Sequence, residues 1–239
     1  MIKKYFYRSL IFCCVLTLWL ATSSTLWQTD PTPKIYVVSS IEEYKNQVTL
    51  DSSMKLVNLI YFINDAMFDI RYASTNNFTH QKVYESAEAF IRMPVAISLN
   101  KVQDSLKTHG LGLIIYDAYR PYAATVKFYD IIKDTRYVAD PKVGSKHNRG
   151  CAVDVALSDL KTGKPLPMPT EFDDFSEKAG ATYMNLPKEV IQNRTLLAGV
   201  MQAFGFSIYP DEWWHFDYIG WEKYPLMNIP FEELIKNSE

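Results

Sequence analysis

The chain has 239 residues, of which 48% are hydrophobic and 22% are charged, with 9 glycines and 12 prolines. This composition predicts one globular domain with a sizeable core, or at most two small ones, and gives no sign of disorder or repeats. The formal net charge of −2 argues against a nucleic-acid-binding protein, because such proteins usually present a basic surface.

Residues 1–27 differ in character from the rest of the chain. A basic start with two lysines and an arginine precedes an apolar run at residues 10–21. A run of about a dozen apolar residues suits the h-region of a signal peptide and is short for a membrane-spanning helix. The pattern predicts a signal peptide or an N-terminal membrane anchor. We therefore expect an exported protein of the periplasm or cell envelope, with any membrane association through this segment.

The remaining chain is predicted to divide into a linker and one main domain. The linker is placed at residues 28–45, which open with a polar, proline-containing stretch. The main domain is placed at residues 46–239.

The first half of the main domain is predicted to combine short strands with two helices. Apolar runs predict strands at residues 56–63 and 111–116, and a polar, asparagine-rich stretch predicts a loop at 69–78. Apolar residues spaced 4, 3 and 4 apart predict a helix at residues 94–108, and a second helix is predicted at 122–133.

The second half contains the segments in which the chemically active residues lie. A strand is predicted at residues 152–157, and a long helix at 188–204 is ended by a glycine. Two further strands, at 206–209 and 214–219, are predicted to pair through a turn at 210–212.

Two imidazoles and two carboxylates in this half indicate a hydrolytic metal site. Catalytic zinc sites commonly use three protein ligands from histidine, cysteine, aspartate and glutamate, and keep a fourth position for water. His147, Asp154 and His215 can supply the three ligands, and Glu212 then remains as a base. Asp154 alternates with small alanines along its predicted strand, so it points away from the most apolar face and has room around it.

Other polar residues have two interpretations each. Arg120 follows a buried strand. Its guanidinium group either pairs with Asp117 or extends into the cleft, where it could bind a substrate carboxylate or a developing oxyanion. Cys151 could be a fourth metal ligand, but its position relative to Asp154 favours a buried structural thiol. His109 precedes a glycine at a predicted helix end and suits a structural role.

The combined motifs closely resemble a known family. The spacing Ser145-x-His147-x-x-Gly-x-Ala-x-Asp154, followed by Glu212-x-x-His215 and preceded by Asp-Ala-Tyr-Arg-Pro at 117–121, is similar to that of the D-alanyl-D-alanine dipeptidases. These are the VanX-like branch of the zinc D-Ala-D-Ala peptidases. The resemblance extends over roughly residues 65–225, in the same order.

The resemblance implies residues of three kinds around one zinc ion per chain. They are His147, Asp154 and His215 as zinc ligands, Glu212 and Arg120 as catalytic residues, and Ser145, Asp173 and Tyr72 as substrate-binding residues. Ser145 and Asp173 are expected to hold the free amino group of a dipeptide, and Tyr72 to line the pocket. The chain departs from the family at His80, where glycine is common, and in its leader, because the best-known resistance dipeptidases act in the cytoplasm.

We therefore expect a single α+β domain in which a central antiparallel sheet, flanked by helices, carries the zinc site. The expected reaction is hydrolysis of D-Ala-D-Ala in the turnover of cell-wall precursors. One alternative is an exported carboxypeptidase or endopeptidase that trims peptidoglycan peptides, and another is a non-catalytic, zinc-containing domain that binds wall peptides. The sequence leaves the oligomeric state open.

Overall fold

The structure is a computed structural model that describes residues 35–237. The described residues lie in one compact unit that begins at Ile35. The predicted signal peptide or anchor, and linker residues 28–34, lie outside them. Among residues 35–237, no helix combines the length and the apolar character needed to cross a membrane.

The described part of the chain contains ten strands and five helices. The strands are β1 Val37–Val38, β2 Leu56–Asn58, β3 Met67–Phe68, β4 Phe90–Arg92, β5 Leu111–Asp117, β6 Ala152–Asp159, β7 Lys164–Pro165, β8 Phe206–Tyr209, β9 Glu212–Tyr218 and β10 Leu226–Met227. The helices are α1 Ile41–Leu50, α2 Met93–Lys107, α3 Tyr122–Ile131, α4 Lys188–Ala203 and α5 Phe231–Lys236. The three long helices predicted from the sequence are confirmed to within two residues at each end.

The predicted linker at residues 28–45 is wrong in its last part, because β1 and the first half of α1, residues 41–45, lie there. Ser40 caps α1, its side chain accepting from the backbone N–H of Glu43 at 3.2 Å. This serine and glutamate have the spacing of a helix-start signal. Tyr44 is buried in the core, so the domain begins at Ile35 and not at residue 46.

The main sheet has six strands and is mixed. Its strand order is β3-β5-β6-β9-β8, with β7 paired to the far end of β6. The pairs from β5 to β8 are antiparallel, but β3 runs parallel to β5. The predicted central antiparallel sheet is therefore corrected at this edge, where β4 and α2 connect β3 to a strand that runs in the same direction.

Two details of the strands differ from the sequence prediction. The strand predicted at residues 56–63 ends at Asn58, whose side-chain oxygen accepts from the backbone N–H of Ile60 at 3.1 Å and starts a helical turn. Glu212, predicted to lie in a turn, is the first residue of β9.

The centre of the sheet positions the site. β6 and β9 are buried along almost their whole length. They pair in a register that sets Asp154 directly opposite His215. Because residues directly opposite in an antiparallel pair point to the same face, these two side chains lie next to each other.

Candidate active site

The site brings together side chains from three elements. His147 opens a short helical turn, Asp154 lies on β6 and His215 lies on β9. Gly150 ends the turn with a φ of 67°, and a Cβ there would lie 2.8 Å from a leucine methyl carbon. The glycine therefore allows the sharp turn by which His147 and Asp154 reach the same point.

The ligating atoms of the three predicted metal ligands form a small, buried triangle. His147 Nε2 lies 3.2 Å from His215 Nδ1 and 3.3 Å from Asp154 Oδ1. The third side, from His215 Nδ1 to Asp154 Oδ1, measures 3.1 Å. A tetrahedral ion about 2.0–2.1 Å from each ligand needs ligand atoms about 3.3 Å apart, so the residues fit such an ion.

The other ring nitrogens determine which atoms face the triangle as acceptors. His147 Nδ1 donates to the backbone oxygen of Ala118 at 2.6 Å, and His215 Nε2 donates to Asp217 Oδ1 at 2.9 Å. In its neutral form each ring therefore directs a nitrogen lone pair toward Asp154. Three acceptors at this separation repel one another unless a cation lies between them, as in a metal site.

Carboxylates around His215 favour positive charge at this point. Burial alone lowers the pKa of His215, but the carboxylates of Asp217 and Asp154 outweigh burial and raise the pKa to about 10. Burial raises the pKa of Asp154, but His147 and His215 beside it hold that pKa well below its usual range. The site thus suits a cation, which a metal ion supplies in place of a proton.

Glu212 lies beside the triangle, although it is three residues before His215 on the same strand. In a regular strand, residues three apart point to opposite faces. Here the pairing of β9 with β8 shifts register between Ile208 and Tyr209, and Glu212 Oε2 comes within 3.8 Å of His215 Nδ1. Burial raises the pKa of Glu212 to about 8, so burial opposes ionisation of this carboxyl group when no cation is nearby.

Arg120 combines the two roles that the sequence leaves open. Its Nε and Nη2 donate to Asp117 Oδ2 at 3.0 and 2.8 Å, and Nη2 lies 3.9 Å from Asp154 Oδ2. The guanidinium also lies over the rings of Tyr72 and Phe128, 5.3 and 4.9 Å from their centroids. These contacts hold the cation beside the metal ligands, where it can donate to a developing oxyanion.

Asp173 lines the same cavity and keeps one carboxylate oxygen unpaired. Its Oδ1 accepts from the Tyr72 hydroxyl at 3.1 Å, whereas within residues 35–237 its buried Oδ2 has no hydrogen-bond partner. Burial, with Asp154 nearby, raises the pKa of Asp173 to about 8. Ser145 also lines the cavity, and its Oγ accepts from the backbone N–H of His147 at 3.2 Å. The three predicted substrate-binding residues therefore surround one cavity, where a cationic group would satisfy Asp173.

The cavity has a volume of about 290 Å³. One wall is segment 135–140, which follows α3 and for which the sequence offers no prediction. Tyr137 of this segment stacks on Phe175, with ring centroids 4.7 Å apart and planes at 22°. Several residues that no sequence motif indicates line the cavity or contact its predicted metal ligands: Tyr137, Lys146, Phe175, Tyr209, Trp214 and Asp217. Asp217 stands two residues after His215 on one strand face, a spacing that brings the two side chains together but is too common to indicate a function.

Three other candidates lie outside the site. Cys151 is fully buried with its Sγ 3.5 Å from the backbone oxygen of Arg149, and burial raises the pKa of the thiol to about 12. The prediction of a structural thiol is therefore confirmed. His80 and His109 are exposed. None of the three belongs to the ligand group found among the described residues.

Comparison with known proteins matches residues 52–236 to the family Peptidase_M15, D-ala-D-ala dipeptidase. The D-alanyl-D-alanine dipeptidase of Escherichia coli (strain K12) is 34% identical over 182 residues, which cover 76% of this chain and 94% of that protein. The D-alanyl-D-alanine dipeptidase of Enterococcus faecium is 31% identical over 174 residues, covering 64% and 86%.

A solved structure of the vancomycin-resistance D,D-dipeptidase VanXYg, in complex with a D-Ala-D-Ala phosphinate analogue, is 17% identical. It aligns over 70% of this chain and 68% of that chain with a TM-score of 0.37, too low to support an argument by itself. The family match and the relatives span most of the sequence, and His147, Asp154 and His215 form a group that could hold a metal ion. The chain belongs to the D-Ala-D-Ala dipeptidase family Peptidase_M15 and is a metallopeptidase.

Proposed function

We propose that the protein is a zinc-dependent dipeptidase that hydrolyses D-Ala-D-Ala, with one zinc ion held by His147, Asp154 and His215. Two imidazoles and one carboxylate form a ligand set that zinc uses in catalytic sites, where a fourth position stays open. The observation that carries the metal site is the triangle of three buried acceptors, 3.1 to 3.3 Å apart.

Zinc bound there supplies Lewis-acid polarisation of a peptide carbonyl and lowers the pKa of a bound water. Glu212 accepts a proton from the attacking water and delivers it to the leaving nitrogen as the C–N bond breaks. Glu212 is ionised for this task, because a nearby dication lowers the pKa of a carboxyl group. Arg120 donates to the carbonyl oxygen as it gains negative charge, an effect typically worth about 3–4 kcal/mol for one donor.

The unpaired Oδ2 of Asp173 supports a dipeptide as the substrate. A free dipeptide carries an ammonium group next to its scissile bond, and this group can pair with Asp173 and Ser145. The cavity volume of about 290 Å³ is at the lower end of the range for small-molecule sites, about 300–1,000 Å³. The buried carboxylate favours a free dipeptide over longer wall peptides, because these carry a neutral amide in place of the ammonium group and would leave Asp173 unpaired.

We also propose that the protein acts after export, in the periplasm or cell envelope. The proposal rests on the basic and apolar pattern of residues 1–27, which suits a signal peptide or anchor. In that location a dipeptidase would take part in the turnover of cell-wall precursors. Protease protection or fractionation of cells that express the full chain tests the location independently of the chemistry.

The test of the reaction compares D-Ala-D-Ala with its N-acetyl derivative, which has a neutral amide in place of the ammonium. An unpaired Asp173 in a buried site costs a few kcal/mol, so we expect kcat/KM to favour the free dipeptide by a hundredfold or more. Asp173→Ala should narrow that ratio, mostly by slowing the dipeptide. Asp174→Ala is the matched control, because this neighbouring carboxylate is not among the residues that line the cavity. Comparable kcat/KM values for both substrates in the unmodified protein would reject the dipeptidase and favour a carboxypeptidase.

A further inference from the structure

We propose that Asp217, supported by Lys146, is a positioning residue that fixes His215 as a metal ligand. The inference rests on the proposed metal site and concerns the support behind the ligand. The two nitrogens of the His215 ring have different partners. Nδ1 lies 3.1 Å from Asp154 Oδ1 in the ligand triangle, whereas Nε2 lies 2.9 Å from Asp217 Oδ1 on the other side.

The strand itself produces this contact. His215 and Asp217 are two residues apart on β9, so their side chains share one face of the sheet. Asp217 pairs with Ala152 of β6, whose small side chain leaves room beside the carboxylate. The carboxylate accepts the Nε2 proton and therefore keeps the Nδ1 lone pair directed at the metal position. The other tautomer would point an N–H group at the metal and leave Asp217 without its donor.

Lys146 holds the second oxygen of the same carboxylate. Its Nζ lies 3.3 Å from Asp217 Oδ2. The ammonium also lies near two aromatic rings, 5.9 Å from the centroid of Tyr209 and 5.5 Å from that of Trp221. With one oxygen bound to Lys146 and the other to His215, the carboxylate has little freedom to rotate. Lys146 directly precedes His147, so one short segment supplies one ligand and supports another.

The second histidine ligand is supported differently. His147 Nδ1 donates to the backbone oxygen of Ala118 at 2.6 Å, a neutral acceptor that side-chain substitution leaves in place, and the Asp117 carboxylate lies farther from this nitrogen, at 3.7 Å. The support of His215 is an anion, which makes the imidazole a stronger electron donor to a metal than a neutral acceptor does. Asp217 should therefore affect both the orientation and the donor strength of His215. Both effects appear in metal binding, and a purely structural contact would not produce them.

The test measures metal binding directly in Asp217→Ala, Asp217→Asn and Lys146→Gln. Zinc affinity is determined by competition with a chromophoric chelator, and cobalt(II) is substituted so that its visible absorption reports the ligand geometry. We expect Asp217→Ala to bind zinc about 10- to 100-fold more weakly, the range seen when such supporting residues are lost. Asp217→Asn keeps an acceptor oxygen, so its zinc affinity should fall less than that of Asp217→Ala. The zinc affinity of Lys146→Gln should also fall less than that of Asp217→Ala. The cobalt spectrum should shift in Asp217→Ala.

Asp69→Ala is the matched control, because Asp69 is also ion-paired, with Arg71 at 2.7 Å, but lies outside the cavity. Its zinc affinity should equal that of the unmodified protein. Unfolding of the metal-free variants by urea separates the two possible roles of Asp217. A structural role would lower metal-free stability and leave the zinc affinity of the folded protein unchanged. If Asp217→Ala does not fold, Asp217→Asn and Lys146→Gln carry the same comparison.

The outcomes distinguish this inference from the proposed function. Unchanged zinc affinity and a superimposable cobalt spectrum in the Asp217 variants would overturn the positioning role, while the unmodified protein still binds zinc and cleaves D-Ala-D-Ala. An unmodified protein that binds no zinc or does not cleave the dipeptide would instead overturn the proposed function.

Discussion

Replacing the Glu212 carboxylate by an amide tests its role as a proton acceptor, because the amide keeps the shape of the side chain but does not accept a proton from water. Glu212→Gln should retain zinc, because the three ligands are untouched, but should turn over D-Ala-D-Ala at least about a hundredfold more slowly. Elemental analysis and steady-state kinetics on the same sample check both parts. Glu222→Gln, a change at an exposed glutamate, should leave both values unchanged. A zinc-loaded Gln variant with full activity would show that Glu212 is mainly structural.

His80 shows how a departure from the family pattern can remain local. Its φ of 53° lies in the left-handed region, where glycine is favoured and another residue costs roughly 1–2 kcal/mol. The family preference for glycine at this position therefore has a backbone cause. His80 is exposed and does not line the cavity, so the substitution adds strain without altering the site.

The residues that meet in the ligand triangle could be predicted from the sequence, but the contact between Asp217 and His215 could not. The motifs combine two histidines, an aspartate and a glutamate at fixed spacings, and few sites other than hydrolytic metal sites use this combination: His147, Asp154, His215 and Glu212. Asp217 and His215 are two residues apart on one strand and so share a face, but many such pairs have no functional role. What matters is which ring nitrogen of His215 faces Asp217, and that depends on β6 and the Lys146 segment, which pack around the ring.

At the level of elements, a buried hydrogen bond joins α1 to β2, which pairs with β4 in a separate two-stranded sheet. The hydroxyl of Tyr44 accepts from the backbone N–H of Leu56, at the start of β2, at 2.7 Å. Tyr44→Phe keeps the ring but leaves that buried N–H without its acceptor, so we expect stability to fall by about 1–3 kcal/mol. Urea unfolding measures the change. Tyr61→Phe is the control, because Tyr61 is 87% exposed and should change stability little. A loss as small as that of the control would contradict this account of α1.

The lengths of the strands and helices could be predicted better than their irregularities. Hydrophobic spacing predicts α2 because this helix buries one continuous face, and apolar character predicts β6 because this strand is buried along almost its whole length. The register shift between β8 and β9, which brings Glu212 onto the face of His215, leaves no mark in hydrophobic spacing. It arises from how two strands fit together, and alternation within one strand does not contain that information.

For the molecule as a whole, the metal should act as a cross-link between distant parts of the chain. Its ligands come from the turn at His147 and from β6 and β9, and without a cation three acceptors face one another at 3.1 to 3.3 Å. At a free zinc concentration about 100-fold above Kd, binding adds about 2.7 kcal/mol. For a domain of this size a chelator should lower Tm by about 5–10 °C.

Calorimetry with and without the chelator measures this difference. His215→Ala, which lacks one ligand, should show a much smaller chelator effect. Equal Tm values for unmodified protein with and without zinc, once zinc binding is established, would contradict the cross-linking role.

The parallel pairing of β1 with β10 sets Val37 opposite Leu226, so the first and last strands of the domain are neighbours. The chain continues past β10 through α5, so a linker that closes the domain would run from the end of α5 to Ile35, and the entropy lost on closing such a loop grows slowly with its length. New ends could then be opened at Gly163, in the exposed turn between β6 and β7. A circularly permuted chain of this kind would keep β6, β9 and the turn at His147 intact. The connectivity of the chain and the geometry of its metal centre are thus separable properties of this fold.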